Sequence, residues 1–137
     1  MQAYHKFVHL LNDSRAKFGG GAYYQSEFCL VPYGEGWGNR LAPSVLHGCI
    51  PVIIQDRVHI ELFDVVPLEE FTIRLRIADM PRLLSILSSI SKEEINRMRT
   101  KMKDWERAFF WEGEGMAYNF TLMSLQKRLH NLWAMYY

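Results

Sequence analysis

"FCLVPYGEGWGNRLAPSVLHGCIPVII", residues 28–54, holds a short apolar run, three glycines at alternate positions, an arginine, a stretch of helical length and a second apolar run. Phe28 to Val31 is continuously apolar and ends at Pro32, short enough to be a strand buried on both faces. From Asn39 to His47 the apolar positions Leu41, Val45 and Leu46 fit a helix, and Gly48 supplies its stop signal. With Asn39 as N-cap, Pro43 falls in the first turn, where a missing N–H costs little. "CIPVII" at 49–54 is the second buried strand. Strand, helix and strand within about 27 residues predict a βαβ unit, which requires a parallel sheet and a right-handed crossover.

The chemistry of this unit lies between its first strand and its helix. In an open parallel sheet, ligands bind beyond the carboxyl ends of the strands, where the loop from Pro32 to Asn39 emerges. Gly34, Gly36 and Gly38 let the backbone take positive φ and let a ligand reach main-chain N–H groups that a Cβ would shield. The helix aims its free N–H groups at the same place, and Arg40 adds a full charge with fork geometry for phosphate oxygens. The combination describes an anion site. Its spacing, Gly-x-Gly-x-Gly-Asn-Arg, is neither the dinucleotide fingerprint nor a P-loop, which disfavours a dinucleotide oxidoreductase. A tight turn beside a surface arginine would have the same glycines. Trp37 on so short a loop suits a wall for a base or a sugar ring, or packs back on the core.

The second strand leads into "QDRVHIELF", so Gln55, Asp56, His59 and Glu61 emerge at the same sheet edge. Carboxylates and amides there can bind ribose or sugar hydroxyls; as loop residues they are equally at home in solvent. His59 is a lone histidine, and His5, His9, His47 and His130 carry no ligand spacing.

Outside this unit, Phe7, Val8, Leu10 and Leu11 fit a short amphipathic helix, followed by a break at "GGG", residues 19–21. "FTIRLRI" alternates Phe71, Ile73, Leu75 and Ile77 with Thr72, Arg74 and Arg76, an edge strand with one wet face. A helix comes next, with Asp79 as N-cap and Pro81 near its first turn. Ser91 and Glu94 predict a capping box for another helix, whose core stripe is Ile95, Met98, Met102, Trp105 and Phe109, with Lys92, Arg99, Lys103 and Asp104 wet. A last helix is expected from about Tyr118 to Trp133, with Phe120, Leu122, Met123, Leu129, Leu132 and Trp133 as contacts. The aromatic end "LWAMYY" suggests docking onto something.

The chain's 137 residues suit one domain, and 49% hydrophobic with 23% charged residues are the proportions of a globular protein. A net charge of +1 gives no field to gather polyanions, so nucleic acid is not expected as a partner. No apolar run reaches the roughly 20 residues of a membrane span, and the N-terminal residues lack the apolar stretch of a signal peptide. With only two cysteines, Cys29 and Cys49, neither a disulfide scaffold nor a four-ligand zinc site is expected. They read as small buried hydrophobes; if their strands are neighbours, a bridge would require an oxidising compartment.

"SEFCLVPYGEGWGNRLAPSVLHGCIPVIIQD", residues 26–56, resembles the exostosin family of glycosyltransferases, family 47. That signature runs Ser-x-Phe-Cys-Leu-x-Pro-x-Gly, then an arginine, then Gly-Cys-Ile-Pro-Val-Ile. "LFDVVPLEEFTIRLRIADMPRLLSILSSIS" looks like the family's next segment, and "GWGNRL" is similar to the exostosin-like sets of green algae. The likeness runs from about Tyr24 to Trp111. It implies a GT-B enzyme of two Rossmann-like halves, of which residues 24–137 would form the C-terminal, nucleotide-sugar-binding domain behind an N-terminal helix and glycine connection at 1–23. Gly34, Asn39 and Arg40 would face the diphosphate of a UDP-sugar, with Arg40 the catalytic group, Tyr33, Gly36, Trp37, Gly38, Gln55, Asp56 and Glu61 completing the donor site, and neither metal nor cofactor required. The acceptor, a glycan or glycoprotein, and any catalytic base would belong to an N-terminal GT-B domain outside this chain. A lumenal Golgi location is implied, with no membrane contact from these residues themselves. The sequence departs from the family at Pro43, where many members carry an acidic residue; a non-catalytic interaction module or pseudoenzyme is the alternative.

Overall fold

A computed structural model describes residues 25–32, 40–56 and 59–136, with side chains through 132. The helix and glycine break expected at 1–23, and the glycine loop from Tyr33 to Asn39, lie outside the described residues. The predicted βαβ unit is present: β1 (Phe28–Pro32), α1 (Leu41–Leu46) and β2 (Ile50–Ile54). β1 and β2 pair in parallel with Leu30 opposite Val52, and β3 (Ile73–Leu75) joins the other side of β2, also in parallel. The order β1-β2-β3 places β2 in the centre, and all five of its residues are buried. A strand enclosed on both faces has no need of alternation, which is why "IPVII" is apolar throughout.

Three boundaries differ from expectation, each for a local reason. Arg40, not Asn39, is the N-cap of α1, and no side chain caps it; Pro43 is the third helical residue, within the turn whose N–H groups have no helical partner. The Arg40 carbonyl accepts bonds from the Ser44 N–H and hydroxyl at 3.1 and 2.6 Å, and Gly48 ends the segment at a φ of 73°. β3 covers only the centre of "FTIRLRI". The chain turns at Ile77 into a 3-10 helix (Ile77–Arg82) because Asp79 accepts the Arg76 N–H at 3.2 Å. Asp79 thus caps from inside the helix rather than serving as its N-cap, and Ile77 is left exposed.

Next come α2 (Leu83–Ser88), α3 (Lys92–Trp105), a 3-10 turn (Glu106–Phe109) and α4 (Ala117–Tyr136). Ser91 caps α3 by accepting the Glu94 N–H, but the Glu94 carboxylate turns to Arg97, at 2.6 and 2.8 Å, instead of closing the reciprocal box. The stripe of Ile95, Met98 and Met102 is buried, Trp105 is half-buried, and Phe109 is buried in the turn beyond. Arg99 is half-buried rather than wet.

The core fills the space between the sheet and α3. Phe71, Ile50 and Val52 are fully enclosed with Leu41 and Val45 of α1 and Met98 and Met102 of α3. Cys29 and Cys49 form a disulfide between neighbouring strand segments, with Cα atoms 5.7 Å apart.

The final helix corrects the expected contact list. Ala117 and Ser124 are buried, and Phe120 packs edge-on against Trp105 with ring centres 6.0 Å apart. Leu122, Met123, Leu129 and Leu132 are exposed, as are Tyr118 and Leu125, while the Trp133 side chain lies outside the described residues. The turn before α4 requires Gly115, because a Cβ there would meet the Phe110 carbonyl oxygen at 1.9 Å.

Candidate donor-binding edge

Because β1, β2 and β3 are parallel, Pro32, Ile54 and Leu75 end on one edge, and the connection leaving each strand is presented there. The connection after β1 is the glycine loop, whose Tyr33, Gly34, Gly36, Trp37, Gly38 and Asn39 lie outside the described residues. Arg40 is exposed at the start of α1, its main chain occupied by Ser44 and its guanidinium in water.

Gln55 and Asp56 come directly after β2, and they differ. Asp56 is exposed, whereas Gln55 keeps only 8% of its surface and its Oε1 is buried with no hydrogen-bond partner among the described residues. Glu61 lies further along the same connection and reaches the start of α1, where its carboxylate faces the Ala42 N–H. Glu61 is exposed as a whole residue, yet packing around its carboxyl raises the pKa above the ordinary carboxylate value, a shift the Ala42 N–H only partly opposes. One first-turn N–H of the segment expected to face a diphosphate is therefore already met by a carboxylate.

His59 is exposed and stacks at a tilt on Phe63, 5.5 Å between ring centres. Beyond it, a turn through Leu62, whose φ of 58° is rare for leucine, presents Asp64 to α4. The Asp64 carboxylate accepts the Ser124 hydroxyl at 2.7 Å and Arg128 at 3.3 Å, while Lys127 donates to the Asp64 carbonyl. Burial works against ionisation of Asp64, but the hydrogen bonds from Ser124 and its own backbone and the Arg128 charge outweigh it and hold the pKa below the usual range. This cluster fastens the last helix to the connection after β2.

Arg76 joins the edge although its place in the sequence pattern does not nominate it. As one wet position of a longer strand it would be unremarked; instead it lies just past the end of β3 on the carboxyl edge, exposed and 3.5 Å from Asp79. The signal for this placement is Asp79, which stops the strand three residues later. Among the described residues, no group of three His, Cys, Asp or Glu could hold a metal ion.

The chain is thus an α/β domain with a parallel sheet, and with cations and amide and carboxylate acceptors at its carboxyl edge. The family model for the Exostosin GT47 domain matches residues 20–90, just over half of the chain, and the protein belongs to that family. A probable glucuronosyltransferase of Oryza sativa subsp. japonica is 42% identical over 80 residues, covering 55% of this chain and 18% of the relative. The rice probable glucuronosyltransferase GUT1 is 40% identical over 78 residues, covering 56% of this chain and 19% of its own length. The Arabidopsis thaliana probable beta-1,4-xylosyltransferase IRX10 is 44% identical over 71 residues, covering 51% and 17%. The chain spans less than a fifth of the curated relatives it matches.

Proposed function

We propose that this chain is the donor-binding part of an exostosin-type glycosyltransferase, taking a nucleoside-diphosphate sugar, in the first place a UDP-sugar, for transfer to a glycan or glycoprotein acceptor. The observation that carries the reading is the family match, which spans β1, α1, β2 and β3 and hence all the strand ends that make the carboxyl edge. Relatives named as glucuronosyl- and xylosyltransferases support the sugar-transfer chemistry. The acceptor would be held by a second Rossmann-like domain, making a GT-B enzyme.

Breaking the bond between sugar and diphosphate leaves negative charge on the departing phosphate. A cation fixed where that charge develops lowers the barrier, which is the role given to Arg40. The glycine loop from Gly34 to Gly38 and Asn39 would supply backbone and amide donors around it, without metal, while Tyr33 and Trp37 would border the base or sugar. The buried disulfide fits an oxidising compartment, and a Golgi lumenal location is proposed on that ground and on the family. Among the described residues no helix is long and apolar enough to cross a membrane.

Calorimetry with UDP tests the reading. Arg40→Ala should weaken binding by about 1.5–3 kcal/mol, the usual contribution of a hydrogen bond to a charged group. The backbone bonds to Ser44 do not depend on the arginine side chain, so α1 should persist in the variant. A folded wild-type chain with no UDP binding at millimolar ligand would defeat the proposal. The second reading, a non-catalytic interaction module, is favoured by Glu61, whose carboxylate occupies the Ala42 N–H, and by Pro43 in the first turn. Unchanged UDP affinity in Arg40→Ala would favour it.

A further inference from the structure

Gln55 is the first residue after the central strand, on the edge where all three strands end, and it is buried with an oxygen that has no hydrogen-bond partner among the described residues. Its neighbours in sequence explain the burial but not the amide. Ile54 continues the core and Asp56 is already in water, so the position could be filled by an apolar residue of the same size at no cost in hydrogen bonding. A buried acceptor left unpaired carries the full penalty of its desolvation, and native proteins retain few such groups.

We infer that Gln55 is a binding residue whose Oε1 accepts a hydrogen bond from a hydroxyl of the nucleotide-sugar donor. This rests on the donor-site reading above and extends it from the charged diphosphate to the neutral part of the ligand. The unpaired acceptor itself favours a hydroxyl over a phosphate, whose oxygens also only accept; Asp56 is the next residue and Glu61 lies on the same connection, while Arg76, alongside Gln55 at the end of β3, is paired with Asp79. Arg40, across the edge at the head of α1, remains for the phosphates. The oxygen is covered while the residue keeps a small exposed edge, so bonding to the ligand would require the amide to turn outward. That movement relieves an unpaired acceptor and replaces it with a bonded one.

The inference makes stability and affinity move in opposite directions, which a purely structural glutamine would not do. In Gln55→Leu the unpaired oxygen is gone, so the melting temperature of the ligand-free chain should stay level or rise. Affinity for UDP-xylose should fall about tenfold, the effect of removing one hydrogen bond to a ligand hydroxyl. Gln55→Glu keeps an acceptor and should retain most of the affinity; a loss as large as that of Gln55→Leu would mean that the amide donates to a phosphate and would overturn the assignment. Titration with UDP and with UDP-xylose separates the two hydroxyl sources. A loss shared by both ligands assigns the ribose, and a loss confined to UDP-xylose assigns the transferred sugar. Unchanged affinity in Gln55→Leu, or a lowered melting temperature showing that the amide is already bonded within the fold, would overturn the inference while leaving the Arg40 site intact. If wild-type chain binds neither ligand, the donor-site reading fails and the Gln55 assignment fails with it.

Discussion

The βαβ unit and the C-terminal helix use apolar residues in opposite ways. In β2 every side chain is buried, and the flanking Cys49 is bound to Cys29 across the sheet. In α4 the residues Leu122, Leu125, Leu129 and Leu132 are each about half exposed, at 48, 57, 54 and 53%, and the helix is fastened by Ala117, by Phe120 against Trp105, and by the polar Ser124, Lys127 and Arg128. An apolar residue in the first region is evidence of a contact within this chain. In the second it is evidence only of an apolar face, because periodicity tells which side of a helix avoids water and not what stands against it.

The largest effect should come from the first region. Replacing both cysteines by serine releases a loop of 20 residues in the unfolded chain and should cost about 3 kcal/mol, read as a lower urea midpoint. Disulfide-intact and reduced wild-type protein should reproduce the difference. A change near zero would show that the strands are held by their packing alone, and would also remove the disulfide's support for an oxidising location.

Asp64 is where the two regions meet, and its loss should have an intermediate effect. Asp64→Asn removes the charge that receives Ser124 and Arg128 and should destabilise by about 1–3 kcal/mol. Amide exchange should be fastest to rise in α4, since its other anchors are few. The pH dependence has a definite sign. The native pKa of Asp64 lies below its unfolded value, so the stabilisation is complete above the unfolded pKa, about 4, and is lost as pH falls through the lower native value. Protection of α4 in wild type should therefore decline below about pH 4, with little further decline in Asp64→Asn. Equal acid sensitivity in the two proteins would assign the titration elsewhere.

Legibility in the sequence divides along the same line. The parallel strands, the helix between them and the stripe on α3 are readable because each buries a run or face whose period is its own evidence. Boundaries are less so. Asn39 is an ordinary N-cap residue, yet Arg40 stands there; Asp79 has the right chemistry for a cap but acts from within the turn, through the Arg76 N–H. For the site, the arrival of Arg40, Gln55, Asp56 and Glu61 on one connection-bearing edge is readable from strand order. The burial of Gln55 is not, since one residue past a strand has no period to place it, nor is the contact of Glu61 with Ala42, which depends on how the chain returns across α1.

The smallest effect tests the C-terminal helix directly. Leu129 is 54% exposed, and Leu129→Gln exchanges one good helix former for another while removing apolar surface from water. Within the isolated chain the substitution should change stability by no more than about 0.5 kcal/mol, far below the value for a buried leucine. If it cost about 2 kcal/mol or more, on the scale of a core truncation, α4 would be packed by its leucines and not by Asp64 and its partners. The Asp64→Asn variant sharpens the choice, because sites without shared contacts should add. Additive effects in the double variant would place Leu129 on a face this chain leaves open, whereas strong coupling would put the leucine and the carboxylate in one interface.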